Sequence, residues 1–457
     1  MAVQGQPVVA GYDPNSILVQ FEPGTSAASI ARVLQRAGCT NSGTFDLSTN
    51  NVTQKNALQK NRQLVHASIV SGQSVTNTLK RITNNPLVVF AEPNFILSIS
   101  VTIPNDLQFA QLYALNNTGQ TGGTADADMD AVEAWDLATG GDIIVAVTDS
   151  GIDLNHEDLA ANIWTNSAEI PGNNIDDDGN GYVDDINGWD FINNDNDPSD
   201  DNDHGSHVSG TIAAVGNNGI GITGVTWRAR VMPLKFINAI GQGTAADAIA
   251  AIDYAVANGA QVINASWGGP NFSVALQSSI SAANDAGVLF VAAAGNNTAD
   301  NDFFPEYPAS YTLPNIIAVA ATDNNDVWAN FSNWGLTSVD IGAPGVAILS
   351  TVRANGYASL NGTSMAAPQV AGAVALLWSY NPNVTAAEIK SALLSTVDPV
   401  PSLTGWTVSG GSVNVFNAMN TLPAPPVIDT LVLSPNTAGL RIGETLQMSA
   451  AGGVPPH

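Results

Sequence analysis

The chain has 457 residues, a formal net charge of −27 and a pI near 4.1, and its length allows about three domains with at least one large buried core. Hydrophobic residues at 44% exclude an intrinsically disordered chain, and no apolar run reaches the about 18 residues that a membrane span needs. The strong negative charge argues against nucleic acids and anionic membranes as partners, because both would be repelled.

The first 95 residues are predicted to form a small α+β unit. Residues 16–21 and 87–91 read as strands, residues 26–37 have the apolar spacing of a helix, and residues 98–105 form an extended polar connector. Residues 1–95 hold seven basic and four acidic side chains, whereas the remainder holds six and 36. A mildly basic segment is therefore expected to be attracted to a strongly acidic body.

From about residue 106 the pattern alternates between strands and helices. The segments "DIIVAVTDSG", "QVINASWGG" and "VLFVAAAGNN" are apolar and end in polar or glycine-containing loops, as buried parallel strands do. Residues 245–258 have helical periodicity between two of them. In such sheets, functional residues gather at the carboxyl ends of the strands.

Beyond residue 422 the sequence is rich in proline and alternates in polarity, which is typical of the first strands of a β-sandwich. We therefore predict three parts, at residues 1–103, 104–422 and 423–457. The single cysteine, Cys39, cannot form an intramolecular disulfide, so stability is expected from core packing or bound ions.

Three short motifs combine the residue types of nucleophilic catalysis. Asp149 ends a predicted strand, His204 lies in "HGSH", and Ser364 lies in "GTSMAAP" ahead of a helix. A serine hydroxyl is a poor nucleophile at neutral pH, and it needs an imidazole to take its proton and a carboxylate to orient the imidazole. Each motif alone has an ordinary structural reading, such as a helix N-cap for the serine.

Together the three motifs, in the order Asp, His, Ser, resemble those of the subtilisin-like serine proteases, over about residues 104–422. The resemblance implies an α/β fold of three layers with a mostly parallel central sheet, preceded by a small α+β propeptide domain. It also implies that Asp149 orients His204, that His204 is the general base and acid, and that Ser364 attacks the scissile carbonyl. His207, three residues further, is interpreted as a core histidine rather than as half of a metal-binding pair.

Further site residues follow from the same resemblance. Asn296 in "AAAGNN" is expected to donate to the oxyanion of the tetrahedral intermediate, with the backbone N–H of Ser364 as the second donor. Two segments are expected to pair with an extended peptide substrate, because glycine permits close approach of another backbone. The predicted substrate-binding residues are Gly241, Gly243, Ser266, Trp267, Gly268, Ala294, Gly295 and Glu306.

The resemblance also implies that Glu306 floors the pocket for the side chain preceding the cleaved bond. An acidic floor would favour Lys or Arg in the substrate. Against this hypothesis, no Lys or Arg lies between residues 95 and 105, where the chain is expected to cut itself.

The run "NNIDDDGNGYVDDINGWDF" carries more carboxylates than are expected to lie together without a cation. Its spacing matches a Ca²⁺-binding loop, with oxygens at alternate positions closed by glycine. The predicted calcium ligands are Asp176, Asp178, Asn180, Tyr182 and Asp184. A frame shifted by two, from Asn174 to Asp185, fits nearly as well, and a solvated acidic loop is the alternative reading.

A second calcium site is implied by the resemblance alone. Its predicted ligands are Asp158, Asn218, Asp106 and the carbonyl oxygens of Val215, Ile220 and Ile222.

Residues 1–103 resemble an inhibitory propeptide, which would fold the protease domain and act as its intramolecular inhibitor. Such propeptides accompany secreted enzymes, so an extracellular destination is implied, although the first 30 residues lack the cationic start and apolar region of a signal peptide.

Two functions stay open at this point. The chain is either a protease that acts on protein or peptide substrates or an inactive binding scaffold with the same fold. The four intact catalytic positions favour the protease. An α/β-hydrolase esterase is disfavoured, because Ser364 lies outside a G-x-S-x-G motif.

Overall fold

The structure is a computed structural model that describes residues 12–44, 63–70, 72–95, 102–425, 432–434 and 449–451. The chain divides into two units, Met1–Ser100 and Val101–His457, and each is described by itself. No helix within the described residues is long and apolar enough to cross a membrane.

The first unit is a four-stranded antiparallel sheet with two helices. Its elements, in chain order, are β1 (Tyr12–Phe21), α1 (Ala27–Ala37), β2 (Cys39–Thr44), β3 (Gln63–Ile69), α2 (Val75–Ile82) and β4 (Val88–Phe95). The strands lie in the order β2-β3-β1-β4. Helix α1 begins where the Ser26 hydroxyl accepts a hydrogen bond from Ser29 N–H, and it ends at Gly38, whose φ of 86° suits glycine. Its apolar face packs into the core of this unit, as the sequence predicted.

The second unit is built on a nine-stranded sheet with helices on both faces. Its helices are α3 (Ala131–Trp135), α4 (His204–Ala213), α5 (Ala245–Ala257), α6 (Val274–Asp285), α7 (Thr363–Tyr380), α8 (Ala386–Ser395) and α9 (Val415–Thr421). Its main strands are β5 (Gly140–Asp149), β6 (Trp189–Asp190), β7 (Arg228–Lys235), β8 (Val262–Ala265), β9 (Leu289–Ala293), β10 (Ile316–Thr322) and β11 (Ile341–Pro344). A hairpin, β12 (Ile348–Val352) and β13 (Gly356–Leu360), and two short edge strands, β14 (Asp398–Pro399) and β15 (Gly411–Ser412), follow.

The sheet has the order β14-β15-β11-β10-β9-β8-β5-β7-β6, and all its pairs are parallel except β14 with β15. The predicted α/β fold with a mostly parallel sheet is therefore confirmed. The chain runs from β5 to one side of the sheet and then crosses to β8 on the other side. Strand β5 is thus at a point where the strand order reverses, and ligands bind outside the carboxyl ends of the strands at such points.

Both faces of the sheet are buried. Val145 and Val147 of β5 face one hydrophobic core, which also contains α4 and α7, whereas Ala146 faces a second core with α5 and α6. Helix α7 is buried along nearly all of its length. A Cβ on its Gly372 would lie 2.7 Å from Val225 Cβ, so the close packing of α7 requires glycine there.

The predicted start of a β-sandwich at 423–457 lies mostly outside the described residues. Within the described part, β16 (Val432–Ser434) pairs antiparallel with β17 (Ser449–Ala451).

A group of carboxylates lies where the segments around Asp128, Asp326 and Asp398 meet. Burial raises the pKa of Asp128 to about 6. Burial, with the charges of Asp398 and Asp128, raises the pKa of Asp326 to about 7. The Asn414 amide donates to Asp130 and Asp398 at 2.6 and 2.9 Å. Because the raised pKa values favour the protonated forms in the folded state, these groups contribute stability at low pH that is lost as pH rises through about 6 to 7.

We predict that Asp326→Asn raises the melting temperature at pH 8 by about 2–4 °C, because it removes a buried charge that is fully ionised there. At pH 4 the aspartate is protonated in the folded protein and the variant should match the parent. Calorimetry at both pH values, at constant calcium, measures this. Asp285→Asn, an exposed carboxylate at the end of α6, is the control for net charge. An equal gain at both pH values would contradict the titration argument.

Candidate active site

Asp149 is the last residue of β5, at the strand-order reversal, and its side chain is fully buried. One carboxylate oxygen accepts a hydrogen bond from Ser150 N–H at 2.7 Å. Its backbone carbonyl accepts from the N–H groups of Phe236 and Ile237, which follow β7. The carboxylate is thus fixed in position before any ligand binds.

His204 is the first residue of α4, and its Nδ1 lies 2.8 and 3.0 Å from the two carboxylate oxygens of Asp149. The Nδ1–H group donates to the carboxylate, so Nε2 is the nitrogen that is free to accept a proton. The side chain is 29% exposed. Burial lowers the pKa of His204, but the charge and hydrogen bond of Asp149, with the charge of Asp200, outweigh burial and hold the pKa above its ordinary value.

Ser364 is the second residue of α7 and is half-buried. Its hydroxyl donates to the carbonyl oxygen of Ser266 at 3.0 Å, and the hydroxyl of Ser266 donates to the Ser364 carbonyl at 2.9 Å. Among the described residues, no hydrogen bond joins Ser364 to His204. His204 is thus hydrogen-bonded to Asp149, whereas the serine hydroxyl occupies a rotamer bonded to Ser266.

The amide of Asn296 lies beside the start of α7. Its Oδ1 accepts from the backbone N–H of Thr363 at 2.8 Å and from the Thr363 hydroxyl at 3.0 Å, so its Nδ2 is the free end of the amide. A Cβ built on Gly362 would lie 3.5 Å from Ser364 N and 3.6 Å from Asn296 Nδ2. Two hydrogen-bond donors, the Ser364 N–H and Asn296 Nδ2, therefore lie near the same point beside Gly362.

The turn that carries Asn296 is held by two buried asparagines that the sequence did not single out. Asn333 accepts from the N–H groups of Asn297 and Ala299 and donates to Asn301 at 3.0 Å. Asn301 in turn donates to the carbonyl of Ala294 at 2.8 Å. These contacts fix the backbone around the candidate oxyanion donor.

Glu306 lies between two of the predicted substrate-binding segments. Tyr307, its neighbour, forms an antiparallel bridge with Gly269. The Oε1 atom of Glu306 lies 3.0 Å from where a Cβ on Gly268 would be. The Cγ atom of Glu306 lies 3.2 Å from the Cβ positions of Gly268 and of Gly295. Burial raises the pKa of Glu306. Within the described residues, no hydrogen bond or ion pair to its carboxylate is formed.

The other predicted substrate residues lie around the neighbouring strand ends. The ring of Trp267 packs edge-on against that of Phe236, with 4.9 Å between the ring centroids. The Nε1–H of Trp267 donates to the Thr148 hydroxyl at 3.0 Å. A Cβ on Gly243 would lie 2.2 Å from the Phe236 carbonyl oxygen, so only glycine fits there. Gly241 lies in an exposed turn with a φ of 77°.

His207 has the environment of a core histidine. It is fully buried, and its Nε2 donates to the carbonyls of Ile348 and Ala358 at 2.9 and 3.1 Å. Burial lowers its pKa to about 4, which keeps it neutral. This agrees with the interpretation drawn from the sequence.

The acidic loop brings together three carboxylates, those of Glu169, Asp178 and Asp185. One oxygen of each lies within 4.8 Å of the others, and Glu169 and Asp185 are buried. Asp178 belongs to both predicted frames and Asp185 to the shifted one, whereas the sequence analysis missed Glu169. A set of carboxylate oxygens is the chemistry that Ca²⁺ prefers, so the donors fit this ion.

Two of the predicted calcium ligands instead accept hydrogen bonds from backbone N–H groups of the loop. Asp176 accepts from the N–H groups of Gly179, Asn180 and Gly181, and Asp184 accepts from those of Asn173 and Asn174. Neither is in the three-carboxylate group. Asn180 donates its side-chain amide to Asp178 and Asp185, and the ring of Tyr182 packs against Trp189 and Tyr254.

The residues of the second implied site also lie close together. Asn218 N–H donates to Asp106 at 3.1 Å, and the Asn218 amide donates to Asp158 at 2.7 Å. Burial raises the pKa of both aspartates, and the charge of Asp106 adds to the effect on Asp158. Asp158 also accepts from Ile222 N–H, and its carbonyl accepts from Val215 N–H; Ile220 N–H donates to Asn218 Oδ1. Two buried carboxylates with raised pKa values again fit a cation.

Comparison with known proteins gives this geometry a family context. The subtilase family profile matches residues 140–419. The chain is 36% identical over 411 residues to the thermophilic serine proteinase of Bacillus sp. (strain AK1), covering 89% of this chain and 88% of that protein. It is 39% identical over 291 residues to thermitase of Thermoactinomyces vulgaris, covering 63% and 92%. A solved structure of proteases from Pseudoalteromonas arctica matches with a TM-score of 0.58 and 30% identity, covering 70% of this chain and 99% of that one.

Proposed function

Because the chain belongs to the subtilase family and is a serine endopeptidase, we propose that it hydrolyses peptide bonds with Asp149, His204 and Ser364 as its catalytic residues. The observation that carries the proposal is the bond from His204 Nδ1 to buried Asp149 at 2.8 Å, which leaves Nε2 as the base. Ser364 lies in the first turn of α7, and the free amide end of Asn296 lies beside it.

In the proposed reaction, the Ser364 hydroxyl rotates away from Ser266, gives its proton to His204 Nε2 and attacks the substrate carbonyl. Asn296 Nδ2 and the backbone N–H of Ser364 donate to the oxyanion. His204 then gives the proton to the leaving amine. Water, activated by the same imidazole, hydrolyses the acyl-enzyme and releases Ser364.

Ser364→Ala should lower kcat on a peptide substrate by roughly 10⁵- to 10⁶-fold with little change in KM, because the nucleophile is lost while the substrate cleft is kept. It should also abolish labelling by a fluorophosphonate probe. Ser359→Ala, an exposed serine of β13, is the control and should keep both properties. Full labelling of Ser364→Ala would contradict the proposal, and an unlabelled parent would favour the inactive scaffold.

Glu306 supports a proposed preference for Lys or Arg before the cleaved bond. Its half-buried carboxylate lies between Gly268 and Gly295, and within the described residues it has no protein partner. A cationic substrate side chain would supply the missing partner.

Glu306→Gln should therefore lower kcat/KM for Lys and Arg substrates by about 10-fold or more, the effect of about 1.4 kcal/mol, while Leu and Phe substrates change little. Four peptides that differ only in the residue before the scissile bond measure this. Equal rates for all four with the parent enzyme would exclude the preference.

We also propose that the chain is a calcium-stabilised, secreted enzyme made as a zymogen. Glu169, Asp178 and Asp185 would hold one ion, and Asp106, Asp158 and Asn218 would contribute to a second. Calcium would neutralise carboxylates that otherwise repel one another. Residues 1–103 would act as the inhibitory propeptide, supported by the mild positive charge of this segment against the acidic remainder.

Excess EDTA should lower the melting temperature of the parent, because an ion that binds only the folded state stabilises it. Asp178→Asn removes one carboxylate of the acidic-loop group, so EDTA should lower the melting temperature of this variant less than that of the parent. Adding calcium back should raise its melting temperature correspondingly less. Asp197→Asn, also exposed but outside the group, is the control. A melting temperature of the parent that does not respond to EDTA would contradict both sites.

A further inference from the structure

Asp149 and His204 come from different elements, and a second carboxylate connects them. Asp200 is 9% exposed and lies four residues before His204. Its Oδ1 accepts from the hydroxyl of Ser150 at 2.8 Å, and Ser150 directly follows Asp149. Its Oδ2 accepts from the N–H and the hydroxyl of Ser206, in the first turn of α4, at 3.0 and 2.7 Å.

The same network supplies the cap of α4. The first N–H groups of a helix have no partner within the helix. Here Gly205 N–H donates to the Ser150 hydroxyl at 2.9 Å, and Ser206 N–H donates to Asp200. Asp203, the residue at the cap position, makes no side-chain cap bond. The first turn of α4 is therefore fastened at two points, to Ser150 in the segment that carries Asp149 and to Asp200 just before the helix.

Asp200 accepts five hydrogen bonds in all, since the N–H groups of Asn202 and Asp203 also donate to it, at 2.9 and 3.2 Å. All five partners donate, which is the pattern of an ionised carboxylate. A negative charge at a helix N-terminus is also favoured by the helix dipole. A buried carboxylate thus lies at the start of the helix that begins with His204.

We propose that Asp200 is a positioning residue for the catalytic pair: it holds the first turn of α4, and with it His204, against Asp149, and its charge stabilises the imidazolium that forms during catalysis. The inference rests on the proposed roles of Asp149, His204 and Ser364. A small displacement of the imidazole is costly, because catalytic groups must be held within about 0.5 Å of productive geometry.

The other charged groups around His204 are accounted for. Asp149 lies at the end of β5, and His207, one turn along α4, is neutral. Asp203 is paired with Arg353 next to the β12–β13 hairpin, and Asp201 is paired with Lys235 of β7. Asp149 and Asp200 are the two carboxylates that raise the pKa of His204.

The test is Asp200→Asn, which keeps the shape but removes the charge and one of the two acceptor oxygens. We expect kcat to fall by about 10- to 100-fold with KM changed less than about threefold, because positioning acts on the transition state. We also expect the acid limb of kcat/KM, which reports the free enzyme's base, to move to lower pH by about half a unit to one unit. Asp197→Asn, an exposed carboxylate three residues earlier, is the control and should change neither quantity.

Ser206→Ala separates positioning from charge and serves if Asp200→Asn does not fold. It removes one donor to Asp200, the Ser206 hydroxyl, and keeps the backbone N–H and every charge, so kcat should fall while the acid limb stays in place. Rates are expressed per active site titrated with the fluorophosphonate probe, which removes any effect of misfolded protein. Kinetics of both variants that match the Asp197→Asn control would overturn the inference. An active Ser364→Ala would instead overturn the proposed function.

Discussion

The structure depends on the burial of one carboxylate at the end of β5. Asp149 is fully buried, and a buried anion is costly unless hydrogen-bond donors surround it. Ser150 N–H and His204 Nδ1–H are those donors. Satisfying Asp149 therefore requires that the first residue of α4 reach the end of β5, and the same contact forms the pair to which we assign catalysis.

The parallel sheet makes this contact possible. Strand β5 lies between β7 and β8, and its neighbours lead to opposite sides of the sheet, so the space beyond its carboxyl end is not filled by a crossover helix. Helix α7 packs its small residues closely against the sheet and brings Ser364 to the same edge. The turn after β9 supplies Asn296 there. Four segments far apart in sequence thus converge because strand ends share one edge.

The sequence predicted what local pattern encodes and missed what depends on distant contacts. Strands β5, β8 and β9, helix α5 and the placement of Asp149 at a strand end follow from apolar periodicity and were correct. The rotamer of Ser364 depends on the Ser266 carbonyl, 98 positions away. Glu169 and Asp200 carry no motif, and their roles appear only when loops fold against them. Likewise, the alternating oxygens of the acidic loop predicted a turn rich in carboxylates but not which of them converge, because backbone N–H groups take up Asp176 and Asp184.

The excess of acid over base explains how carboxylates are used throughout the chain. With 13 basic and 40 acidic side chains, ion pairs cannot satisfy most of the carboxylates. Some are paired, as Asp142 is with Arg228 and Arg230. Others, such as Asp200, accept backbone and hydroxyl hydrogen bonds in buried positions, which fixes loops and helix ends in place of salt bridges. Some carboxylates, such as Asp128 and Asp326, instead have pKa values raised by burial, and Glu169, Asp178 and Asp185 lie together in one group. A fold with so few cationic side chains therefore relies on hydrogen-bond donors to satisfy its buried carboxylates.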